Sequence, residues 1–559
     1  MVIALKQRDY LVIPIILNKL ENIFVLFNFG VTIIIYNHIM KISLQRSLFL
    51  ILFAIIVNTQ NSTAFYKSTT KNISTIQLAS LFQDHMVLQR DMKIPVWGKG
   101  IPGTKITVNF AGTTKNTLVS TNGKWLLKLP AFKASLVPRT MIISSSSDTN
   151  TLEITDILVG EVWICSGQSN MQFSTNSVPE IKKLIPSATN IRSFKVQNTV
   201  AFEPQDNCGG TWVDGHPDSA VAFSFAYFLE EAIDIPIGII QTSWGSSSLE
   251  AWMPRDMTST VPHFKMMMDE FDADTISQNK INNILNGPKP WSRTDDVFLR
   301  RQSNILYNAM MHPLIPYACR GLVWYQGERN TQSMFGMLKE PWFSRNSGML
   351  KYGTTLKEWI LKYRSSWNQK EMDFLIVMLP GYGSILKEST EQNPKSPNAY
   401  SWAWMRESQL KALELPNTSV ANTIDLGDVK NIHPKDKLPV GQRLALLAQH
   451  NVLKMKVTAS GPTFKKVKTK NNSITVFFKN VKKLKTTDGK PPREFWLADD
   501  SKNWVPAKAT IKGKTVILSS SKLIHPKYVR YAFTGKPNVN LVNEANLPTY
   551  PFRTDNFKP

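Results

Sequence analysis

The chain has 559 residues, and the alternation of hydrophobic and polar positions divides it from residue 66 onward into three parts. Residues 66–160 alternate polar and apolar side chains, as Lys105–Phe110 does, and Gly and Pro interrupt them, so this part is predicted to be an all-β domain. In 161–452, apolar strand-like runs alternate with amphipathic stretches, which favours an α/β domain whose parallel sheet is covered on both faces. Residues 455–559 return to short alternating strands, and their spacing is typical of a small sandwich.

Several regular elements are predicted inside the central part. Strands are expected at 161–165, 235–241, 321–325 and 374–379, and amphipathic helices at 223–232 and 441–452. The segments 257–300 and 383–400 are polar and irregular, so we expect them to be surface excursions.

The first 64 residues differ from the rest of the chain. From Met40, a short basic start leads into the apolar run 47–57 and then into small polar residues, which is the pattern of a signal peptide over 40–64. This run is shorter than the roughly 20 residues of a membrane-spanning helix, so no membrane span is expected in the mature protein. Residues 1–39 are interpreted as a non-native upstream extension, and an uncleaved anchor is the alternative.

Glycosylation signals favour the secretory pathway. The tripeptide N-x-[ST] occurs at Asn61, Asn72, Asn417 and Asn471. The expected destination is therefore extracellular or lysosomal, and the sequence does not choose between the two.

Cysteines are sparse. Three in 559 residues exclude a disulfide scaffold, and the lack of C-x-x-C spacing argues against a cysteine zinc site. Cys165 lies in an apolar run and is expected to be buried and reduced, which leaves Cys208 and Cys319 as the pair to test.

Positive charge is concentrated near the C-terminus. The formal net charge is +24, and 452–559 holds 22 Lys and Arg against 6 Asp and Glu. Such a surface can meet nucleic acid, acidic glycans or a membrane. The lysines are scattered rather than clustered with stacking aromatics, which favours a solvated β-surface and argues against a nucleic-acid partner.

The strongest chemical signal is a strand that runs directly into Ser-Gly-Gln-Ser-Asn, 166–170. The carboxyl end of a strand in an open α/β sheet is where reacting groups are presented. A serine in that turn, before a helix, can expose its hydroxyl and keep its own N–H near an oxyanion. Ser169 is therefore a candidate nucleophile; the alternative is that Ser166 and Ser169 cap a helix.

A serine nucleophile needs a base, and His433 is the best placed of the eight histidines. It follows a strand-like run, and Pro434 prevents a helix from continuing through it, so His433 is expected in a loop. Asp425 or Asp428 could orient the imidazole, and the sequence does not choose between them. Loop solvation or helix capping is the alternative role for both carboxylates.

Two more strand ends carry polar residues. Gln326 has an amide that could donate to an oxyanion, and Glu328 could be an acid or a scaffold residue. Gly245 could present a backbone N–H in the turn after another strand, although a turn glycine without a catalytic role is equally common.

Four motifs in this order resemble the sialate O-acetylesterase family. They are Ser-Gly-Gln-Ser-Asn-Met (166–171), Thr-Ser-Trp-Gly (242–245), Trp-Tyr-Gln-Gly-Glu (324–328) and Ile-His-Pro-Lys-Asp-Lys (432–437). Asp-His-Met-Val-Leu-Gln-Arg (84–90) and Val-Trp-Gly (96–98) are also similar, so the likeness runs from about residue 77 to near the C-terminus.

The resemblance implies an SGNH-type hydrolase. Its fold would be a flavodoxin-like, three-layer α/β/α core with N-terminal and C-terminal β-sandwich-like domains. Ser169 would be the nucleophile and His433 the base. The N–H groups of Ser169 and Gly245 and the amide of Gln326 would form the oxyanion hole.

The sequence departs from the family pattern near the expected site. Ser246 stands where a second glycine is usual, and Arg329 where a small residue is usual. Lys430 occupies the position, three residues before the histidine, where SGNH enzymes often have Asp. The triad acid is thus Asp425, Asp428 or no carboxylate at all, as in a Ser–His dyad. Arg329 and Arg406 are candidate substrate-binding residues. Arg329 could narrow the site or favour an acidic substrate, and a structural role is the alternative for Arg406.

These observations predict a serine esterase that hydrolyses O-acetyl esters of sialic acids through an acetyl-enzyme, with no metal and no cofactor. An acetyl esterase on another glycan, such as xylan, shares this chemistry, because sugar recognition lies in loops. A catalytically silent glycan-binding protein that uses the basic C-terminal part is the alternative from another class. The sequence gives no oligomeric state.

Overall fold

The computed structural model describes residues 76–147, 151–331, 349–383, 391, 393 and 395–557. They belong to one compact unit, Ser74–Pro559. The predicted extension 1–39, the predicted signal peptide 40–64 and the sequons at Asn61 and Asn72 lie outside the described residues. In the described part of the chain, no helix has the length and apolar character needed to cross a membrane.

The strands are numbered in chain order. They are β1 (Gln77–Leu78), β2 (Val87–Gln89), β3 (Ile94–Lys99), β4 (Lys105–Phe110), β5 (Thr113–Leu118), β6 (Lys124–Leu129), β7 (Ser135–Ser145), β8 (Thr151–Gly167), β9 (Ile191–Lys195), β10 (Trp212–Val213), β11 (Ile237–Ser243), β12 (Gly321–Tyr325), β13 (Asp373–Val377), β14 (Thr418–Ala421), β15 (Thr463–Lys470), β16 (Ser473–Lys479), β17 (Lys485–Thr486), β18 (Phe495–Ala498), β19 (Val505–Pro506), β20 (Lys508–Lys512), β21 (Thr515–Ser519), β22 (Tyr528–Tyr531), β23 (Leu541–Val542) and β24 (Phe552–Arg553).

The α-helices lie mainly between β8 and β15. They are α1 (Ser169–Gln172), α2 (Pro179–Lys182), α3 (Ala220–Ile233), α4 (Pro262–Ala273), α5 (Thr275–Asn286), α6 (Arg293–Leu299), α7 (Met349–Ser366), α8 (Trp402–Leu410) and α9 (Leu438–Leu447). Short π-helical segments are Tyr307–Met311 and Ala448–Val452, and single 3-10 turns include Leu249–Trp252 and Arg329–Thr331. The strands expected at 105–110 and 321–325 and the helix expected at 223–232 are confirmed.

A large mixed sheet of eleven strands organises the molecule. Its central path is β10-β9-β11-β8-β12-β13-β14, in which the neighbours from β9 to β14 are parallel and β10 is an antiparallel edge. Residues 157–167 of β8 are buried throughout or nearly so, as expected for a strand covered on both faces.

β8 belongs to two regions at once. Its first half pairs with β7 and β2, and its second half pairs with β11 and β12. The boundary expected at residue 160 therefore falls inside one continuous strand.

Helices contact both faces of the sheet. Trp163 of β8 packs edge-on against Phe225 of α3, with ring centroids 5.2 Å apart. Trp324 of β12 is in register with Ser166, so it points to the opposite face, where its ring lies 4.6 Å from that of Trp359 of α7. The core of the α/β region thus lies on either side of β8 and β12.

The segment 257–300 differs from the expected irregular excursion, because it contains α4, α5 and α6. The buried positions Phe264, Met267, Met268 and Phe271 have helical spacing, but charged residues between them lower the mean hydropathy. Capping side chains of Asp274 and Ser292 start α5 and α6.

The C-terminal region contains two four-stranded sheets, β15-β16-β21-β20 and β19-β18-β22-β24. Phe552 of the second sheet stacks on Phe464 of the first at 4.6 Å between ring centroids, and Phe478 meets it edge-on at 6.1 Å. Aromatic packing therefore joins the two sheets.

Candidate active site

Ser169 lies where the largest sheet presents its strand ends. β8 ends at Gly167, and Ser169 is the first residue of α1. Gly167 has φ 141°, and a Cβ there would collide with the carbonyl oxygen of Tyr325, so glycine is required for β8 and β12 to approach. The serine side chain is consequently held at the surface end of two adjacent parallel strands.

His433 meets this serine from a loop. Its Nε2 lies 2.8 Å from Ser169 Oγ, which is hydrogen-bond distance. The loop is held by its own side chains: Asp428 Oδ1 accepts from the Asn431 N–H at 2.7 Å, and Asn431 Oδ1 accepts from the His433 N–H at 2.9 Å. The structure thus brings together the two residues that were predicted as nucleophile and base.

The environment of His433 favours its neutral form. Burial lowers the pKa of the imidazole, and the nearby Lys437 cation lowers it further. Lys437 is itself buried, with its Nζ donating to the Pro434 carbonyl and lying 4.7 Å from the Phe173 ring centroid. Burial lowers the pKa of Lys437 to about 8. A neutral imidazole can accept the serine proton, as a general base must.

Asp425 and Asp428 are both placed away from the imidazole. Asp425 makes a two-pronged ion pair with Arg443 of α9, at 2.6 and 2.7 Å, and Asp428 caps the loop backbone instead. Within the described ranges, no side chain forms a hydrogen bond with Nδ1 of His433. The expectation that Asp425 orients the imidazole is therefore corrected, because Arg443 engages both of its oxygens.

A buried amide connects the strand ends to the histidine loop. Asn170 Nδ2 donates to Glu328 Oε1 at 2.5 Å and to the carbonyl oxygen of Ile432 at 3.0 Å. Burial raises the pKa of Glu328 to about 7. Glu328 is therefore linked to the His433 loop indirectly, through the side chain of Asn170. Asn170 was not singled out from the sequence, although it stands inside the serine motif.

Gln326 is fully buried, and its amide is engaged by residues other than Ser169. Its amide nitrogen donates to Asn330 Oδ1 at 2.8 Å, and it also lies 3.1 Å from Ser247 O and from Gln168 Oε1. These acceptors occupy both N–H bonds. The expected oxyanion contact from Gln326 is therefore absent from this arrangement. The residue instead connects Gln168, Ser247 and Asn330 through buried hydrogen bonds.

Gly245 does lie beside the serine. A Cβ at this position would be 3.2 Å from Ser169 Cβ, and the Gly245 N–H donates to Gln172 Oε1 at 3.0 Å. The next residue, Ser246, has φ 62°, in the region that favours glycine. This conformation explains why a second glycine is usual there.

The two arginines expected to bind substrate are both buried. Arg406 is completely enclosed and donates to the carbonyl oxygens of Thr534, Gly535 and Pro380, so it connects α8 to the C-terminal region. Its expected role in substrate binding is therefore corrected. Arg329 is 4% exposed, and its backbone N–H donates to Gln168 Oε1 at 3.2 Å.

The three cysteines form no disulfide bond. Cys165, Cys208 and Cys319 are free, so the Cys208–Cys319 pair does not form. Cys165 is buried, as expected, and burial raises the pKa of its thiol. Among the described residues, no group of three or more His, Cys, Asp or Glu side chains is arranged to hold a metal ion.

A serine hydroxyl paired with an imidazole at a strand end is the arrangement used by serine hydrolases. A carbohydrate acetylesterase from Xanthomonas citri is 30% identical, with a TM-score of 0.71, and the match covers 86% of this chain and all of that structure. Sialate O-acetylesterase of Rattus norvegicus is 27% identical over 511 residues, and that of Homo sapiens 25% over 495. Each covers 82% of this chain, and 90% and 88% of the respective relative. No protein-family model matches the chain.

The chain belongs to the sialate O-acetylesterase family and is a carboxylic ester hydrolase.

Proposed function

We propose that this protein removes acetyl groups from carbohydrate hydroxyls and that its substrates are O-acetylated sialic acids. The observation that carries the chemistry is the 2.8 Å hydrogen bond between Ser169 Oγ and His433 Nε2. The names of the relatives, sialate O-acetylesterase and carbohydrate acetylesterase, support the substrate class.

We also propose that the core is the flavodoxin-like, three-layer SGNH fold. At one end of the sheet, β9 and then the edge strand β10 lie beyond β11, and the other parallel strands are ordered β11-β8-β12-β13-β14. When these five are numbered along the chain, this is the order 2-1-3-4-5 of flavodoxin-like sheets. Ligands bind such sheets where the strand order reverses, which here is the end of β8 next to β12. Ser169 lies at that point.

The proposed reaction has two steps. Ser169 Oγ attacks the acetyl carbonyl carbon while His433 Nε2 takes the hydroxyl proton. The intermediate collapses, and the sugar oxygen leaves with that proton. Water, deprotonated by His433, then attacks the acetyl-Ser169 ester. His433 returns the proton to Ser169 Oγ as it leaves, so that free serine and acetic acid result, and the acid ionises to acetate.

Two backbone groups are the proposed oxyanion donors, the N–H of Ser169 and the N–H of Gly245. The Ser169 N–H forms no hydrogen bond within the described part of the chain. The Gly245 N–H would exchange the Gln172 oxygen for the substrate oxyanion. With Asp425 and Gln326 engaged elsewhere, a Ser–His dyad is the proposed catalytic unit.

The test compares wild type with Ser169→Ala on 9-O-acetylated sialic acid and on acetyl-xylan, and measures released acetate. Release from sialic acid by wild type alone supports mechanism and substrate together. Release from xylan alone retains the mechanism and contradicts the substrate. A folded protein without turnover, also on simple acetyl esters, would support the glycan-binding alternative.

The proposed location is the secretory pathway. Asn471 is exposed in the turn between β15 and β16, where an oligosaccharyl group can be accommodated. Asn417 is less favourable, because its side-chain amide donates to the Glu371 carboxylate. Mass spectrometry of the secreted protein would reveal which sequons carry glycan.

A further inference from the structure

Gly245 brings an arginine next to Ser169. A Cβ at position 245 would lie 3.2 Å from Ser169 Cβ and 3.4 Å from Nη1 of Arg300. The guanidinium and the serine therefore lie on either side of the position of the missing Cβ, and Gln172 Oε1 is also 3.4 Å from it. A ligand bonded to the serine hydroxyl can reach the guanidinium.

Arg300 is held in place by a short chain of contacts. It follows the last residue of α6, and its Nη1 lies 3.1 Å from Asp296 Oδ2 one turn earlier. Asp296 Oδ1 accepts from the indole N–H of Trp244 at 3.2 Å. Because Trp244 directly precedes Gly245, the position of the guanidinium is linked to the loop beside the serine.

The guanidinium has more donors than partners. An arginine carries five N–H bonds, and within the described residues Asp296 is the carboxylate that Arg300 meets. Its Nε is buried without a hydrogen-bond partner, and 18% of the side chain is exposed. Burial lowers the pKa of Arg300, and the positive charges of Arg301 and Arg293 lower it further. An anion that arrived here would therefore gain strong, charge-assisted hydrogen bonds.

Two stacked tryptophans lie next to Asp296. The rings of Trp244 and Trp291 stack at 6.1 Å between centroids with an interplanar angle of 19°. Trp291 is partly exposed, and Lys289 Nζ lies 4.9 Å from its ring centroid. A second positive group therefore lies beside the stacked tryptophans.

We propose that Arg300 binds a carboxylate on the sugar whose acetyl ester Ser169 attacks, so that the enzyme selects acidic acetylated sugars over neutral ones. This inference rests on the proposed function and deepens it. The planar fork of guanidinium matches a carboxylate, whereas a neutral xylan backbone offers no charge to it. Sialic acids carry such a carboxylate, and the carboxylate therefore becomes the recognition element at this site.

The experiment measures kcat and KM of Arg300→Gln on three substrates: 9-O-acetylated sialic acid, the same compound with its carboxyl group methylated, and 4-nitrophenyl acetate. Arg300→Gln should raise KM for the acid on the order of 10–100-fold, the usual effect of a lost charged hydrogen bond. Its kcat, and both parameters on the two neutral esters, should stay within about twofold, because the reacting atoms are untouched. Arg300→Lys should recover part of the loss. Arg293→Gln, an exposed arginine on the same helix, removes the same charge and is the control.

Other outcomes overturn the proposal in distinguishable ways. An equal loss of kcat/KM on all three substrates, which Arg300→Lys does not recover, would contradict the proposal. Arg300 would then stabilise the fold or the oxyanion instead. A wild type that hydrolyses the acid and its methyl ester equally well would refute carboxylate recognition while the esterase proposal stands. A wild type that resembles Ser169→Ala on all three substrates would refute both proposals.

Discussion

Asn170 and Glu328 share a buried hydrogen bond of 2.5 Å, and the same Asn170 amide group donates to the backbone carbonyl that precedes His433. Asn170 follows the serine at the end of β8, whereas Glu328 follows β12. The two strand ends therefore position the histidine loop through a single side-chain amide.

Asn170→Ala should slow catalysis without unfolding the protein. Without the amide, the Ile432 carbonyl loses its donor, and the distance from His433 to Ser169 is no longer fixed. A decrease of kcat on the order of 10–100-fold is expected, with KM for 4-nitrophenyl acetate nearly unchanged. The exposed Asn176→Ala is the control. An unaltered kcat would mean that the loop is held by its own Asp428 and Asn431 contacts.

Glu328→Gln should stabilise the protein at alkaline pH. An unfolded Glu releases its proton near 4.5, whereas burial raises the pKa of the folded group to about 7. Between these values the folded state binds more protons, so wild-type stability falls as pH rises, and glutamine removes this dependence. At pH 8 the variant should gain on the order of 1–3 kcal/mol in the free energy of unfolding, and at pH 4 close to nothing.

Urea denaturation at both pH values measures this difference, with the exposed Glu153→Gln as control. The hydrogen bond from Asn170 is retained, since glutamine also presents an oxygen. A variant that is less stable at pH 8 than wild type would show that Glu328 gains more from the charge of Lys437 than it loses by burial.

The acid limb of kcat/KM should lie below the usual histidine pKa of 6.5. Burial and the Lys437 cation both lower the pKa of His433, so the neutral base persists to lower pH. Lys437→Met should move this limb to higher pH, because the repelling charge is gone. The exposed Lys435→Met, two residues away, should leave it in place. Rates on 4-nitrophenyl acetate from pH 4.5 to 9 give the profile, and identical limbs in all three proteins would contradict this assignment.

Arg406→Met should affect stability rather than substrate binding. The change removes the donors to the carbonyl oxygens of Thr534 and Gly535, and these acceptors are buried. A loss of about 2–5 kcal/mol in the free energy of unfolding is expected. Per folded molecule, KM for acetylated sialic acid should match that of wild type, as should KM for the exposed control Arg293→Met. A selective rise in KM would restore Arg406 as a substrate-binding residue.

Local sequence made Ser169 and His433 candidates for nucleophile and base, and the family resemblance joined them as a pair. Each has a signal within a few residues: a buried strand that ends before Ser169, and Pro434 that keeps His433 in a loop. The positions of Asp425 and Gln326 depend instead on tertiary partners. Arg443 engages Asp425 from the following helix, and Ser247 accepts from Gln326 across the site.

The position of Arg300 depends even more clearly on tertiary partners that the local sequence does not reveal. The polar, irregular sequence of 257–300 predicts a surface excursion, whereas the structure has three helices there. Nothing in the neighbourhood of residue 300 along the chain indicates that it lies beside residue 245. That proximity arises only when α6 packs on the loop after β11, through the contact of Asp296 with Trp244.

The continuity of β8 constrains how this enzyme can be divided. The strand that ends just before Ser169 begins at Thr151, and its first half is hydrogen-bonded to β7 and β2 of the N-terminal region. A fragment that started at residue 161 would cut this strand in the middle and remove the half of β8 that pairs with β7 and β2. The N-terminal region therefore cannot be exchanged separately. A minimal active enzyme has to include it, and a chimera with another family member has to take it from the same protein as the serine.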